Sequence, residues 1–316
     1  MDRELIISAS PHIHTAKDVR KSMCDVLIAL IPAVACSLYF FGVGALVVLT
    51  ASVVGCVATE YLIQRYLIKG PSTIGNCSAV LTGVLLALNL PSNLPVYIVL
   101  IGSVFAIGVV KMAFGGLGQN VFNPAIAGRV FLLLSFPAQM TTWPLPIANR
   151  WAYFDVETGA TVLSSLKQGA EVTTLSPLDA FVGNMGGSMG EVSALALLVG
   201  FAYLLVRRVI TWHVPVSILL TVAVFYLLLG DNPVLPLLSG GLLLGAIFMA
   251  TDYVTSPMTY RGMIIYGVLI GAITVVIRKW GAYPEGISFA ILLMNGVTPL
   301  INHWIKPGRF GVRRKL

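Results

Sequence analysis

The stretch Ser22-Met23-Cys24-Asp25-Val26-Leu27-Ile28-Ala29-Leu30-Ile31-Pro32-Ala33-Val34-Ala35-Cys36-Ser37-Leu38-Tyr39-Phe40, separated only by Phe41 and Gly42 from a second apolar run, Val43 to Gln64, decides the fold class. Each run carries one charged side chain, Asp25 in the first and Glu60 in the second, and each is long enough as a helix to cross a hydrocarbon core about 30 Å thick. The rest of the chain has the same character. Of its 316 residues 57% are hydrophobic and only 10% charged, and the mean hydropathy is +0.89, which leaves too little polar surface to solvate a soluble globule. Lys17, Arg20 and Lys21 before the first run resemble the basic region of a signal peptide, but the run is long, lacks a cleavage site and leads into further spans, so it is expected to stay in the mature protein.

Eight more spans follow: Ser78 to Leu90, Leu94 to Met112, Asn123 to Phe136, Gly190 to Val206, Ile210 to Leu229, Leu235 to Ala250, Met263 to Ile277 and Gly286 to His303. The third, fifth and eighth of the series are short and abut Pro, Asn or Gly clusters, which predicts interrupted helices. The fold class expected is an all-α polytopic membrane protein, with every backbone polar group satisfied inside its helices.

Loop charges orient the chain. Arg3, Lys17, Arg20, Lys21, Arg65, Lys69, Lys111, Arg207, Arg208, Arg261, Lys306, Arg309, Arg313, Arg314 and Lys315, fifteen of the twenty basic residues, fall on one side. The positive-inside rule makes that side, with both termini, cytoplasmic, and ten spans satisfy the parity. The net charge of +7 then reads as topology and contact with anionic lipid, and no nucleic-acid signal is present. Cutting the chain near Gly190 leaves an odd number of spans in each half, so a repeat must be inverted. Leu100-Ile101-Gly102-Ser103-Val104 matches Leu269-Ile270-Gly271-Ala272-Ile273, and Pro91 has a counterpart in Pro257. The organisation expected is a cytoplasmic segment 1–21, a first five-helix repeat 22–136, an extracytoplasmic loop 137–189, a second five-helix repeat 190–303 and a basic tail 304–316.

The loop is too long to be idle, and within it runs Asp155-Val156-Glu157-Thr158-Gly159-Ala160-Thr161. Read alone, this is a Ser/Thr/Gly turn. It also resembles the motif by which subunits of the RnfD/NqrB family carry FMN as a threonine phosphoester, with Asp155, Thr158, Gly159 and Ala160 matching the pattern and Val156 departing from its preferred small residue. The resemblance makes Thr161 the acceptor. It extends to Ser8-Ala9-Ser10-Pro11-His12, to Gly118-Gln119-Asn120-Val121-Phe122-Asn123-Pro124-Ala125 and to Phe248-Met249-Ala250-Thr251-Asp252. The short N-terminal segment is nearer the RnfD branch than NqrB.

The resemblance implies ten transmembrane helices in an inverted repeat, covalent FMN attached by a dedicated flavin transferase, and a riboflavin site near Asn120 and Asn123. It further implies partner subunits carrying iron–sulfur centres, the NADH site and a second covalent FMN, in the cytoplasmic membrane of a prokaryote. The chain is expected to act inside a complex coupling electron flow from ferredoxin to NAD⁺ with Na⁺ or H⁺ movement. An NqrB-like subunit of a Na⁺-pumping NADH:quinone reductase, a cofactor-free inverted-repeat transporter and a scaffold are the alternatives.

Asn123-Pro124 also reads as an N-cap and first-turn pair, so capping alone competes with flavin binding there. Asp252, Asp25 and Glu60 are candidates for an ion pathway and, with Lys111, are expected to gather toward the cytoplasmic ends of their spans. Snorkelling is the competing reading for Glu60 and Lys111. Arg129 could pair with a carboxylate or face the riboflavin. Cys24, Cys36, Cys56 and Cys77 lack cluster spacing and read as buried free thiols, and Trp143, Trp151, Tyr153 and Phe154 as headgroup anchors.

Overall fold

The first helix begins where Asp18 accepts the Val19 amide at 2.7 Å, closing a cap that holds α1, Val19–Phe41. The computed structural model describes residues 18–70, 72–147, 150–151, 153, 157–167, 177–183, 185–191 and 193–306. Gly42, at φ 59°, turns the chain back directly into α2, Val43–Leu62, which widens into a π-helical turn over Ile63–Ile68. Then come α3, Ser78–Leu88; α4, Val96–Val104, with a π-helical continuation over Phe105–Met112; and α5, Pro124–Ser135. In the second half lie α6, Ala194–Val206; α7, His213–Leu228; α8, Leu242–Leu244, continued as a π turn over Gly245–Met249; α9, Tyr260–Trp280; and α10, Ile287–Trp304.

Three of the described helical stretches, Val19–Phe41, Val43–Ile68 and Tyr260–Trp280, are long and apolar enough to cross a membrane unaided. With 11 and 12 residues, α3 and α5 extend roughly 17–18 Å and reach only part of the way. The expected eighth span is broken in its middle. Val234–Leu238 forms a separate short helix, and Gly240 and Gly241, at φ 73° and 65°, turn the chain into α8. Side chains at those angles are strained, so the Gly-Gly pair concentrates the bend.

Packing follows the logic of lipid as solvent. Leu30, Val48, Leu86, Ile98, Ile126, Leu132 and Ile247 fill the interior, whereas Ile31, Val54, Leu220 and Leu227 face outward although fully apolar. Small residues let backbones approach. A Cβ on Gly83 would stand 2.7 Å from the Val53 Cα, and Ser52 Oγ donates to Gly83 O at 2.8 Å across the α2/α3 contact. In the second half a Cβ on Gly271 of α9 would lie 2.8 Å from the Thr221 Cβ of α7.

Hydrogen bonds divide the loops between two ends of the bundle. At one end Val43 N donates to Arg150 O (2.9 Å), Ile147 N to Phe40 O (2.9 Å), Tyr153 Oη to Leu94 O (2.5 Å), and Lys167 reaches Gly281 O. At the other, Arg207 pairs with Asp25, Tyr253 donates to Val209 O, and Met258 N donates to Asn302 Oδ1 (3.1 Å). The loop that carries Thr158-Gly159-Ala160-Thr161 thus lies opposite Lys111 and the α1 start.

Candidate functional site

At the Lys111 end, α1, α3, α5 and the α8–α9 connection enclose a cavity of about 780 Å³, its open mouth included. Ser78, Thr82, Lys111, Asn120, Asn123 and Asp252 are among its polar lining residues. The breaks before α5 and after α8 create it: Asn123 caps α5 by accepting from Ala125 N (3.1 Å) and Ile126 N (3.4 Å), and its Nδ2 donates to Met249 O (3.2 Å) at the end of α8. Both amide atoms of Asn123 are therefore engaged as a cap and a strut. Asn120, nearly buried, donates to Phe122 O at 3.0 Å while lining the cavity. Gly115, Gly116 and Gly118 all have φ between 92° and 114°, which only glycine adopts without strain, and they shape the loop below it.

The charged residues expected at this end resolve into separate arrangements. Glu60 and Lys111 do not snorkel: they are 0% and 2% exposed and paired at 2.5 Å, with Lys111 also donating to Ser78 Oγ at 2.7 Å and Glu60 accepting from Thr73 Oγ1 at 2.7 Å. The π turn in α4 rotates Lys111 inward, toward α2, which sequence spacing could not reveal. Asp25 binds Arg207 (3.2 Å) and Tyr203 Oη (3.1 Å) beside the cavity and is not part of its lining. Asp252 lines it and accepts from Thr255 Oγ1 at 3.3 Å. The structure thus brings Asn120, Asn123, Lys111 and Asp252 together and keeps Asp25 apart.

At the opposite end, β1 (Trp143–Pro144) pairs antiparallel with β2 (Thr158–Gly159), Trp143 opposite Gly159. A side chain on Gly159 would strike Leu145, with its Cβ 2.7 Å from Leu145 Cδ2. The ladder delivers the chain through the exposed Ala160 to Thr161, which caps the short helix Val162–Lys167. Its Oγ1 accepts from Ser164 N at 3.2 Å and lies 3.2 Å from Ser164 Oγ. Thr161 is half-buried on a cleft of about 250 Å³ shared with Leu163, Glu191, Gly240 and Glu285. Asp155, Val156 and Phe154 lie outside the described residues. Trp143 is buried at the ladder, Tyr153 is half-buried with its hydroxyl on the Leu94 carbonyl, and Trp151 is 90% exposed.

Beneath that cleft sits a cluster of which the sequence pointed only to Arg129 and a carboxylate partner. Arg129, fully buried, contacts Glu285, donates to Ser288 Oγ (2.6 Å) and Asn89 Oδ1 (3.4 Å), and lies 4.0 Å from Glu191. Arg278 donates to the carbonyls of Glu285 (2.9 Å), Pro236 (2.6 Å), Ser239 (3.1 Å) and Gly240 (3.3 Å). Arg129 therefore takes the carboxylate partner and does not join Asn120 and Asn123. A second cavity of about 470 Å³ opens here between Arg129, Met140, Trp143, Tyr283 and Phe289. The available sequence signals were Glu191 at the edge of a span and the break Tyr283-Pro284-Glu285-Gly286 before another. Among the thiols only Cys56 is fully buried; Cys24 and Cys77 approach to 3.9 Å.

Residues 6–311 match the NQR2, RnfD, RnfE family. The chain is 49% identical over 313 residues to the D component of the Na⁺-translocating ferredoxin:NAD⁺ oxidoreductase complex of Acetobacterium woodii, covering 98% of this chain and 96% of that one. It is 42% identical over 328 residues to the D component of the proton-translocating ferredoxin:NAD⁺ oxidoreductase complex of Clostridium ljungdahlii, with the same coverage of 98% and 96%. With the corresponding component of the ion-translocating oxidoreductase complex of Stutzerimonas stutzeri it shares 41% identity over 330 residues, 93% of this chain and 92% of the relative. Such likeness over nearly the whole length, in a chain built of apolar helices, means that this membrane protein belongs to the NQR2, RnfD, RnfE family.

Proposed function

We propose that the chain is the flavin-carrying electron-transfer subunit of an ion-translocating ferredoxin:NAD⁺ oxidoreductase, holding FMN as a phosphoester on Thr161 and riboflavin in the cavity beside Asn120. Near full-length identity to components of two ferredoxin:NAD⁺ oxidoreductase complexes carries the activity. The half-buried Thr161 hydroxyl on its cleft supports the attachment. The Asn120 cavity sets a few polar groups against an apolar wall, the kind of lining that a small-molecule cofactor site has. Bound flavin supplies the redox chemistry. The protein's own residues do the placing: β1 and β2 present Thr161, Ser164 orients its hydroxyl, and Asn123 holds the half-helix ends that shape the inner cavity, toward which Asn120, Lys111 and Asp252 turn polar groups.

Partner subunits with iron–sulfur centres, the NADH site and a second covalent FMN complete the electron route, and a flavin transferase loads Thr161. Ten spans in two inverted halves fit the packing. Leu100–Val104 lies in α4 and Leu269–Ile273 in α9, and each of these helices pairs with the second helix of its half. Each pair ends in an ion pair, Glu60–Lys111 in one half and Asp231–Lys279 in the other, at opposite ends of the bundle. Both termini are then cytoplasmic and the Thr161 loop extracytoplasmic.

The test is covalent flavin in the matured complex. Intact mass should show one FMN adduct on this chain, and its in-gel fluorescence should vanish in Thr161→Ala and persist in Thr161→Ser. A colourless wild-type chain, matured with its transferase, would refute the attachment and restore the transporter reading.

A further inference from the structure

Glu191 stands just before α6 with 6% of its surface exposed, and its Oε1 accepts no hydrogen bond among the described residues. Its position is built. Gly190 N donates to Leu88 O at 2.7 Å and Met189 N to Leu90 O at 3.3 Å, pinning the segment onto the end of α3. The carboxylate lies against bare backbone: a Cβ on Gly241 would stand 2.9 Å from Oε1, and one on Gly187 3.1 Å from Oε2.

The charged groups around it make their hydrogen bonds elsewhere, although the guanidinium charges of Arg129 and Arg278 lie close by. From α5, Arg129 reaches only to 4.0 Å, held by Glu285 and Ser288. From α9, Arg278 is occupied by four carbonyls, with Tyr226 of α7 beside the cleft that Arg278 lines. Glu285, in the α9–α10 turn, is engaged by Arg129 and shares the Thr161 cleft with Glu191. In the same segment Ser188 is fully buried and its Oγ likewise has no partner among the described residues; Arg129 Nε is the third such atom in the cluster. A carboxylate oxygen that accepts no hydrogen bond among the described residues, a buried hydroxyl nearby in sequence that likewise has none, and a cleft shared with Thr161 can ligate a small cation.

We propose that Glu191 is an exchangeable monovalent-cation site, taking up one H⁺ or Na⁺ for each electron that reaches the flavin on Thr161. The inference rests on the Thr161 attachment. An electron delivered from reduced ferredoxin through the partner subunits adds one negative charge above the cleft. One cation entering the cleft adds one positive charge at Glu191, and the sum is unchanged. When the electron leaves for the next carrier, the cation leaves too. With no cation bound, the guanidiniums of Arg129 and Arg278 balance the carboxylates of Glu191 and Glu285, and the cation enters only with the electron, so the buried cluster never carries an uncompensated charge.

The experiment uses the intact complex. Subtracting the redox titration of the Thr161→Ala complex from that of the wild type isolates the Thr161 flavin, whose midpoint is then followed at several pH values and at several NaCl concentrations. Because reduced flavin itself binds protons, H⁺ uptake at Glu191 is read as the pH dependence that the wild type shows beyond that of Glu191→Gln; a midpoint that rises with NaCl at fixed pH identifies Na⁺. In Glu191→Gln the NaCl dependence should be lost, or the pH slope reduced to the flavin's own, while covalent FMN, measured by in-gel fluorescence, stays at the wild-type level. In Glu191→Asp the wild-type dependence should survive with a displaced midpoint, which carries the test if the Gln variant does not assemble. Wild-type dependence in Glu191→Gln, its loss in Glu191→Asp, or a wild-type midpoint indifferent to both cations overturns the proposal. Absence of covalent FMN from the wild type is a separate result and removes the Thr161 attachment itself.

Discussion

Replacing Lys111 by Met should destabilise the protein far more than replacing Lys111 and Glu60 together by Met and Leu. The two charges sit 2.5 Å apart with 3% and 0% of their side-chain surfaces exposed. At an effective dielectric of about 20 their attraction is about 7 kcal/mol, most of which offsets the cost of taking both ions out of water. Removing one partner leaves the other buried and uncompensated, at a cost of about 3–5 kcal/mol, whereas an apolar pair of similar volume is commonly neutral or stabilising. Glu60 would keep the neutral Thr73 hydroxyl as a donor, which is too weak to replace an ammonium. With about 2–4 °C per kcal/mol, the single variant should lower the melting midpoint of the purified complex by on the order of 10 °C. The double variant should recover most of that loss. A single substitution no worse than the double, followed by scanning fluorescence under identical detergent conditions, would refute the reading of a mutually dependent buried pair.

Further outcomes follow from local geometry. Gly190→Ala places a Cβ 2.8 Å from the Leu88 Cβ and 2.9 Å from the Leu88 carbonyl oxygen, so it should cost about 1–3 kcal/mol and reduce the yield of assembled complex, measured by size-exclusion chromatography. Arg207→Ala removes a pair whose arginine is 45% exposed, and the melting midpoint should move by the equivalent of about 1 kcal/mol or less. Mild thiol oxidation should join Cys24 to Cys77, whose sulfurs lie 3.9 Å apart, while Cys56, fully buried, stays unreactive; peptide mapping after alkylation reads both.

Much of the fold was legible because lipid imposes long apolar runs and Pro, Asn and Gly interrupt them. Asn123-Pro124 announced the start of α5, and the cap is present. The break within the expected eighth span was legible in kind but not in place, since Gly240-Gly241 lies inside the apolar run it divides. The partners of the buried charges were illegible for a different reason. Glu60 and Lys111 are 51 residues apart, and Arg129 and Glu285 are 156 apart. Such pairings depend on helix rotation and on the π turn under Lys111, which periodicity does not encode. Glu191 at the edge of a span was a weak signal, because one acidic residue there resembles an ordinary boundary charge.

The shortness of α5 has an electrical consequence. Its first turn, at Asn123, Pro124 and Ala125, lines the inner cavity, and Arg129, four residues beyond Ala125, lines the outer one. Along the helix that interval is about 6 Å, a small fraction of a bilayer about 30 Å thick. Where water or a polar cofactor enters both hollows, a voltage across the bilayer is concentrated on this single turn. Moving one elementary charge past it then exchanges a large share of the whole membrane potential, about 2.3 kcal/mol for each 100 mV.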